Sequence, residues 1–301
     1  MPWNEPGKSG EIYVIGTDFD GTLTKNGELV TENIEAVRKF REAGNLFVLV
    51  TGRHGYDAVR AAEKSGIGFD YISASDGAVL FGPESVTGRK RELIYEKTCS
   101  PDRLEALCAL IIENDPCWLS KESTSYACSV PLGWNSGEQV GTVNKNGRPW
   151  MSPEQFFADP HPFSMLPCGF EERELSREVT ERINREFGDY VAAYFNDGCV
   201  DIVPAGIGKA SGLTFIAEAH GIPKENVWTI GDDYNDLPML RAFNGCTVAR
   251  GELYENKLIG RCCPEVCDLI HALLEKQEKN KEKNIHERRT DRKKKADPFS
   301  G

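Results

Sequence analysis

The sequence predicts an α/β protein with a Rossmann-like parallel sheet, helices on both faces, and an inserted α+β cap domain. Near both ends of the chain, short apolar runs alternate with helical patterns, which is typical of parallel βαβ units. The alternation is lost between about Phe81 and Asp201 and returns at Gly206. Two of the apolar runs end in clustered aspartates, and open α/β sheets bind ligands at the carboxyl ends of their strands.

The first part of the predicted core contains three buried strands separated by two helices. The first helix begins near Thr31 and stops at Gly44, a residue type that commonly ends helices. The strands are short, mainly apolar runs, as expected for strands that are buried on both faces. The elements are, in order, strand 12–16, helix 31–43, strand 46–50, helix 57–64 and strand 71–73.

The second part of the predicted core begins with a helix after Gly206, which stops at Gly221. A buried strand at Val227–Ile230 and a last helix from about Pro264 to Glu275 follow. Beyond that helix the chain is a polar run that cannot bury enough apolar area to fold by itself.

The segment between the two core parts contains three helical patterns and polar, Gly-rich stretches of strand character. The first helix opens at Ser100-Pro101, the second has capping-box spacing from Ser152, and Gly188 ends the third. The predicted organisation is a core segment 1–82 (with 1–10 disordered), a cap 83–203, a second core segment 204–276 and a disordered basic tail 277–301.

The composition excludes several classes of function. The net charge is −11, so the body of the protein lacks the basic face that a general nucleic-acid binder needs. We find neither an apolar run of membrane-spanning length nor a signal-peptide core, and the ten cysteines form no C-x-x-C pair. We therefore expect a cytoplasmic protein with reduced thiols and with no nucleic-acid or membrane partner. The sequence does not indicate an oligomeric state.

Four aspartates are predicted to meet at one edge of the sheet. Asp18 and Asp20 follow the first strand, and Asp232 and Asp236 follow the strand at 227–230. Carboxylates gathered in this way repel one another, and a hard divalent cation bound through oxygen relieves the repulsion. Mg²⁺ is the expected cofactor because it accepts a few carboxylates, water molecules and a substrate phosphate.

These residues provide the groups that phosphoryl transfer needs. A carboxylate beside the cation can attack phosphorus and form an aspartyl phosphate, and a second one can protonate the leaving oxygen and then activate water. Asp18 and Asp20 are two positions apart, and therefore lie on one side of an extended strand. Thr51 offers a hydroxyl and an amide after the second strand, and Lys209 adds an ammonium at a helix N-terminus.

Four motifs, DFDGT, VTGR, GIGKASG and GDDYND in that order, resemble those of the haloacid dehalogenase (HAD) superfamily. The resemblance covers roughly 10–80 and 204–275. The long interval between Thr51 and Lys209 places the cap as in the Cof-like branch of sugar-phosphate and related phosphatases. One departure is Ser75-Asp76-Gly77, since that branch more often has Asn before this Gly.

The resemblance implies a role for each site residue. Asp18 is the implied nucleophile, and Asp20 is the implied general acid/base, with its backbone carbonyl on the metal. Arg53 either contacts the substrate or forms a structural ion pair. The implied phosphate-binding residues are Thr51, Gly52, Lys209 and Asn235. The implied metal ligands are Asp18, Asp20, Asp232 and Asp236, of which Asp236 acts directly or from behind the other ligands.

The sequence therefore predicts a Mg²⁺-dependent phosphomonoester hydrolase that acts on small phosphorylated metabolites, such as sugar phosphates, through an aspartyl phosphate. Two alternatives stay open. A sugar phosphomutase or phosphotransferase would use the same aspartyl phosphate, and a catalytically silent binding or regulatory protein would keep the fold alone. An inactive relative would be expected to have lost Asp18 or Lys209, and this chain has both.

Overall fold

A computed structural model describes residues 11–84, 91–132, 143 and 147–296. The predicted disorder of residues 1–10 falls outside the described residues, as does the end of the tail, 297–301. The strands are β1 Val14–Thr17, β2 Thr24–Lys25, β3 Glu28–Leu29, β4 Leu46–Val50, β5 Tyr71–Ala74, β6 Val79–Glu84, β7 Arg91–Glu96, β8 Trp118–Ser123, β9 Tyr126–Pro131, β10 Cys168–Gly169, β11 Val191–Asn196, β12 Cys199–Pro204, β13 Val227–Gly231, β14 Asn244–Val248 and β15 Cys262–Cys263. The helices are α1 Glu32–Glu42, α2 Gly55–Ser65, α3 Leu104–Ile112, α4 Pro153–Ala158, α5 Arg173–Phe187, α6 Ala210–His220, α7 Leu237–Ala242, α8 Glu252–Glu255 and α9 Val266–Ala296.

The core is a single sheet with the strand order β15-β14-β13-β1-β4-β5-β6-β7. The neighbours from β15 to β5 are parallel, and β6 and β7 add to the edge in antiparallel orientation. The predicted α/β class is confirmed, and the sheet is mixed rather than wholly parallel. Helices cover both faces, because successive strand residues point to opposite sides. Ile15 packs with α1, α2 and α9, whereas Val14 packs with α6 and α7.

A second sheet forms the inserted cap. Its five strands are antiparallel in the order β11-β12-β10-β8-β9. Apolar side chains of α3, α4 and α5 pack on one face of this sheet. The other face meets the core, where Ala192, Tyr194 and Val203 of the cap pack in one apolar cluster with Ala78. The capping box predicted at Ser152 is present at the start of α4.

The predicted boundary between core and cap at 82/83 is wrong. It falls inside β6, and the core sheet continues through β7 to Glu96. The reason is that antiparallel neighbours such as β6 and β7 do not require a crossover helix, so the loss of the strand–helix alternation does not mark the end of the sheet. The second predicted boundary, at 203/204, lies one residue before the end of cap strand β12 at Pro204, and it stays a prediction.

The tail predicted to be disordered from 277 is instead helical as far as Ala296. Gln277 is buried, and its side-chain amide donates to Asn45 Oδ1 at 3.1 Å and to the carbonyl of Glu11 at 2.7 Å, while Asn45 Nδ2 donates back to Gln277 Oε1. This exchange ties the helix to the start of the sheet. Beyond it, residues of high helix propensity and the pair Glu275–Lys279 extend the helix.

Replacing Gln277 with Ala should lower the free energy of unfolding by about 1–3 kcal/mol, because Asn45 loses its reciprocal partner in a buried position. Lys279→Ala is the matched control, since Lys279 is exposed on the same helix, and it should change stability by at most about 0.5 kcal/mol. Urea unfolding followed by circular dichroism measures both. Equal effects would contradict the structural role given to the first turns of this helix.

Candidate active site

The carboxyl ends of three neighbouring strands form the floor of the site. Because β13, β1 and β4 lie side by side and run in the same direction, the residues that follow them come together. Asp18 follows β1, Thr51 follows β4 and Asp232 follows β13. Lys209, at the start of α6, completes the set from the segment that leaves the cap.

A buried ion triad lies at the centre of this floor. Lys209 Nζ donates to Asp18 Oδ1 at 2.8 Å and to Asp236 Oδ1 at 2.6 Å. Only 2% of the Lys209 side chain is exposed, with 8% of Asp18 and none of Asp236. Charges buried to this degree must be paired, so each of the three side chains fixes the other two.

The loop after β13 is closed around Asp236. Asp236 Oδ2 accepts hydrogen bonds from the backbone N–H groups of Asp232 at 2.9 Å and Asp233 at 3.2 Å. The Asp232 side chain in turn accepts a 2.5 Å hydrogen bond from the Thr22 hydroxyl. Asp236 thus holds the backbone of this loop in place. Asp232, which lines the cavity, uses one carboxylate oxygen for the hydrogen bond from Thr22.

Burial raises the pKa values of two of these carboxyl groups, Asp18 and Asp232. The pKa of Asp18 is raised well above its ordinary value by burial, which outweighs the attraction of Lys209. Burial, with repulsion from Asp236, raises the pKa of Asp232 to about 7. Burial alone would lower the pKa of Lys209, but the carboxylates of Asp18 and Asp236 raise it well above its ordinary value. The ammonium is therefore permanently charged, and the carboxylates need further positive charge.

The donor set fits a hard divalent cation. Asp18, Asp232 and Asp236 each offer a carboxylate oxygen, and these oxygens lie within 4.8 Å of one another. Oxygen donors with net negative charge are the ligands that Mg²⁺ prefers. The carboxylate of Asp20 is not part of this group among the described residues, so the ligand role implied for Asp20 rests on its backbone carbonyl and stays a prediction.

Asp20 instead forms a two-pronged ion pair with Arg53. Arg53 Nε and Nη2 each donate to Asp20 at 2.7 Å, and the guanidinium lies 5.3 Å from the centre of the Phe19 ring. The pair is open to solvent, with 41% of Arg53 and 58% of Asp20 exposed. Of the two roles predicted for Arg53, this conformation shows the ion pair. The pair lies at the solvent-exposed side of the site.

A cavity of about 330 Å³ opens above the triad. Eight of the nine predicted site residues line it, and Asp236 lies beneath them, behind Lys209. Thr51 is buried, and its Oγ1 accepts from the Arg53 backbone N–H at 3.2 Å. The lining residues are Asp18, Asp20, Gly21, Thr51, Gly52, Arg53, Asn196, Asp197, Lys209, Asp232, Asp233 and Asn235.

Sequence reasoning missed the cap residues in this lining. Asn196 and Asp197 lie at the turn between β11 and β12, where Asp197 and Gly198 both have positive φ. Asp-Gly between two strands is a strong hairpin signal, so the turn itself was predictable. Its position over the cavity was not, because no spacing in the sequence relates it to Asp20.

Arg250 is a second residue that sequence reasoning missed. Its guanidinium donates at 2.7 Å to the carbonyls of both Gly21 and Thr22 and to Glu265. This holds the loop after Asp20 in place from a position 228–229 residues away in the chain. A lone arginine in a loop carries no signal that could have predicted this contact.

The comparison with known protein families agrees with the arrangement of the site residues. Residues 15–252 match the model of the haloacid dehalogenase-like hydrolases. The chain belongs to this family. The predicted resemblance, including its Cof-like branch, is confirmed.

Several members of the family are similar over most of the chain. The 5-amino-6-(5-phospho-D-ribitylamino)uracil phosphatase YitU of Bacillus subtilis (strain 168) is 44% identical over 242 residues, which cover 79% of this chain and 86% of YitU. The pyridoxal phosphate phosphatase YbhA of Escherichia coli (strain K12) is 26% identical over 249 residues, which cover 79% of this chain and 87% of YbhA. The solved structure of the HAD subclass IIB sugar phosphatase BT4131 has a TM-score of 0.68 at 15% identity, covering 87% of this chain and 98% of that one, and supports the fold.

Family and relatives together identify this HAD hydrolase as a phosphatase enzyme. Among the helices that the structure describes, none has both the length and the apolar character needed to cross a bilayer.

Lys209→Met should destabilise the protein in the presence of a chelator, because it leaves buried carboxylates unpaired, at a cost of about 3–5 kcal/mol at neutral pH. The loss should shrink as the pH falls. Asp18 and Asp232 have raised pKa values in the folded state, so protonation stabilises the fold at low pH, and that stability is lost as the pH rises from the ordinary Asp value of about 4 through about 7. The measurement is Tm against pH for the variant and for Lys25→Met, an exposed control. A variant profile that parallels the wild type would contradict the charge balance described above.

Proposed function

We propose that this phosphatase hydrolyses phosphomonoesters of small metabolites with Mg²⁺ as its cofactor, through an aspartyl phosphate on Asp18. The observation that carries the proposal is the position of Asp18. Its carboxylate lines the cavity, is held by Lys209 at 2.8 Å, and shares a group of oxygen donors with Asp232 and Asp236. A fixed nucleophile beside positive charge is what transfer of a phosphoryl group requires.

The first step is attack by a carboxylate oxygen of Asp18 on phosphorus. The P–O bond to the leaving group breaks as the new P–O bond forms, and Asp20 gives its proton to the departing oxygen. Lys209, the Thr51 hydroxyl and the backbone N–H of Gly52 line the cavity and would hold the phosphoryl oxygens. In the second step Asp20 takes a proton from water, the water oxygen attacks phosphorus, and Asp18 leaves as a carboxylate together with free phosphate.

This scheme requires Asp20 and Arg53 to separate. The carboxylate of Asp20 is occupied by both prongs of the Arg53 guanidinium, and in that pairing it has no free oxygen with which to carry a proton. A substrate phosphate is a competing partner for Arg53, since guanidinium binds phosphate and carboxylate with the same geometry. Arrival of substrate would then move Arg53 to the phosphate and free Asp20 for the acid role.

Asp18, Asp232 and Asp236 would hold Mg²⁺, with Asp20 adding a backbone carbonyl. When bound, the cation supplies positive charge against the phosphoryl oxygens and the crowded carboxylates. Without a cation, the raised pKa values of Asp18 and Asp232 would leave these groups partly protonated and the nucleophile less reactive.

The cavity and the relatives support a proposal for the substrate class. The cavity of about 330 Å³ is at the small end of ligand sites, which range over about 300–1,000 Å³. The cap hairpin at Asn196 and Asp197 contributes polar groups to its lining, as a hydroxylated leaving group requires. YitU, the 44% identical relative, is named for a phosphorylated ribityl compound. We therefore propose phosphorylated polyols and sugars as the substrate class. The ribitylaminouracil phosphate is the first compound to test.

Phosphate release from these compounds and from a generic aryl phosphate should require Mg²⁺ and should fall to background in excess chelator. A malachite-green assay across ribitylaminouracil phosphate, sugar phosphates, nucleotides and pyridoxal phosphate measures both metal dependence and substrate preference. Full activity of metal-free protein would contradict the Mg²⁺ assignment. Transfer between substrate hydroxyls with no free phosphate would establish the phosphomutase alternative instead.

Asp18→Asn should abolish turnover of the aryl phosphate, because the amide is neither a nucleophile nor a charged ligand. Asp20→Asn keeps the nucleophile and should lower turnover by about 10²–10⁴-fold. An aryl leaving group needs little acid assistance, so phosphoenzyme should accumulate in the Asp20 variant. Rapid quench with labelled substrate and peptide mapping should place the label on Asp18. Label on a serine or a histidine would contradict the covalent mechanism.

A further inference from the structure

Two buried aspartates that take no part in the mechanism meet behind the phosphate-binding loop. Asp76 lies in the short turn after β5, and Asp201 lies in the cap strand β12. Asp76 is fully buried and Asp201 is 4% exposed. A Cβ atom added to Gly52 would lie 3.3 Å from Asp76 Oδ1 and 3.2 Å from Asp201 Oδ2, so both carboxyl groups converge on the backbone of this cavity-lining glycine.

The backbone at Asp76 is held in an unusual conformation. Ser75, Asp76 and Gly77 all have positive φ, at 49°, 47° and 94°, a region that costs free energy for residues other than Gly and is kept only when surrounding contacts impose it. The contacts are to the phosphate-binding loop, since Ser75 N–H donates to the Arg53 carbonyl at 2.9 Å and Asp76 N–H to the Thr51 carbonyl at 3.2 Å. The turn therefore carries the Asp76 side chain and supports residues 51–53 at the same time.

The hydrogen bonds around the two carboxyl groups leave Asp76 without a donor. Asp201 Oδ2 accepts from Asn196 Nδ2 at 2.7 Å. With both aspartates ionised, neither oxygen of Asp76 receives a hydrogen bond from any described residue. The nearby hydroxyl of Tyr194 does not supply one, because it donates to the Ile207 carbonyl at 2.6 Å. A proton on Asp201 would supply the missing bond, and without it two buried like charges would face each other.

The surrounding charges agree with one shared proton. Burial and the charge of Asp76 raise the pKa of Asp201 well above its ordinary value. Burial also raises the pKa of Asp76, and Asp236 adds to the rise. Lys209 lowers the pKa of both groups, but it is the largest effect after burial at Asp76 and a smaller one at Asp201, so it favours the charge on Asp76. Asp201 is therefore the better site for a shared proton, as in other pairs of carboxyl groups that cannot both ionise.

We propose that the Asp201 carboxyl donates a hydrogen bond to the Asp76 carboxylate, and that this bond fastens cap strand β12 to the turn that supports Thr51, Gly52 and Arg53. Asp76 and Asp201 are then positioning residues for the phosphate-binding loop. The inference rests on the phosphoryl-binding role proposed for that loop. It also accounts for an aspartate at the position where the Cof-like branch more often has Asn, because either side chain can complete one hydrogen bond with Asp201.

Asp201→Asn and Asp201→Leu test the shared proton directly. The Asn amide keeps a donor toward Asp76 and an oxygen for Asn196, so this variant should keep kcat and KM within about threefold of the wild type. Leu leaves the Asp76 carboxylate buried and unpaired, and it should raise KM, and the Ki of inorganic phosphate, by about tenfold or more, with kcat less affected. Asp189→Asn, a change to an exposed cap aspartate, is the control for removal of a negative charge.

The pH dependence of phosphate binding separates a proton-sharing pair from a merely structural one. A carboxyl group with a raised folded pKa stabilises the fold below that pKa, and the contribution is lost as the pH rises through it. On the alkaline side, the Ki of inorganic phosphate should therefore rise more for the wild type than for Asp201→Asn, because the variant has no titrating proton at this position. Parallel profiles for the two proteins, or an Asn variant as damaged as the Leu variant, would overturn the proposal.

Carbon-13 NMR of aspartate-labelled protein with Mg²⁺ present tests the pair without any turnover. One carboxyl carbon should show the shift of a protonated acid at neutral pH, and that signal should vanish in Asp201→Asn. Its absence from the wild type would overturn the proposal even if the enzyme is an active phosphatase. Conversely, a protein that is inactive on every phosphomonoester but shows the signal would contradict the proposed function and leave the carboxyl pair established.

Discussion

The site depends on one buried ammonium group. Lys209 joins Asp18, 191 residues away, to Asp236, 27 residues away, and these two aspartates belong to the two core segments that the cap separates. Because an unpaired charge in this environment is strongly unfavourable, the two segments can bring their carboxylates together only when Lys209 lies between them. Adjacent strands and the Lys209 contact bring the site together, and nearness in sequence is not needed. The chain can therefore accommodate the cap domain between the two core segments.

The single ammonium of Lys209 does not balance the negative charge of the site. Three carboxylates surround one ammonium, and burial raises the pKa values of Asp18 and Asp232. A second lysine could also supply charge, but a divalent cation brings two positive charges and can coordinate carboxylate and phosphate oxygens at the same time. The residual negative charge therefore favours binding of such a cation together with a phosphorylated substrate.

The sequence was most informative where a residue type is fixed by local chemistry. The strand Leu46–Val50 was predicted because a short, uninterrupted apolar run is typical of a buried parallel strand. The aspartates after β1 and β13 were predicted as site residues because carboxylates at strand ends are typical of a ligand crevice. The sequence was least informative where tertiary contact decides. An antiparallel pair such as β6 and β7 looks like the start of a new domain, Gln277 looks like part of a polar tail, and Asp76 looks like an ordinary turn residue until its burial is known.

The cap also contacts the loop that carries Asp232 and Asp236. Tyr234, between Asp233 and Asn235, packs edge-to-face on Phe195 of the cap at 5.8 Å, and the Arg177 guanidinium contacts both rings, 4.8 Å from the Phe195 centroid and 4.7 Å from that of Tyr234. A displacement of β11 and β12 would therefore act on this loop through Tyr234 and on the phosphate-binding loop through Asp201. Both loops line the cavity together with Lys209, so the position of the cap bears on the surroundings of the triad through the packing of Tyr234 and through the proposed hydrogen bond of Asp201. A substrate that contacts Asn196 or Asp197 would consequently act on the same loops that are proposed to hold its phosphate.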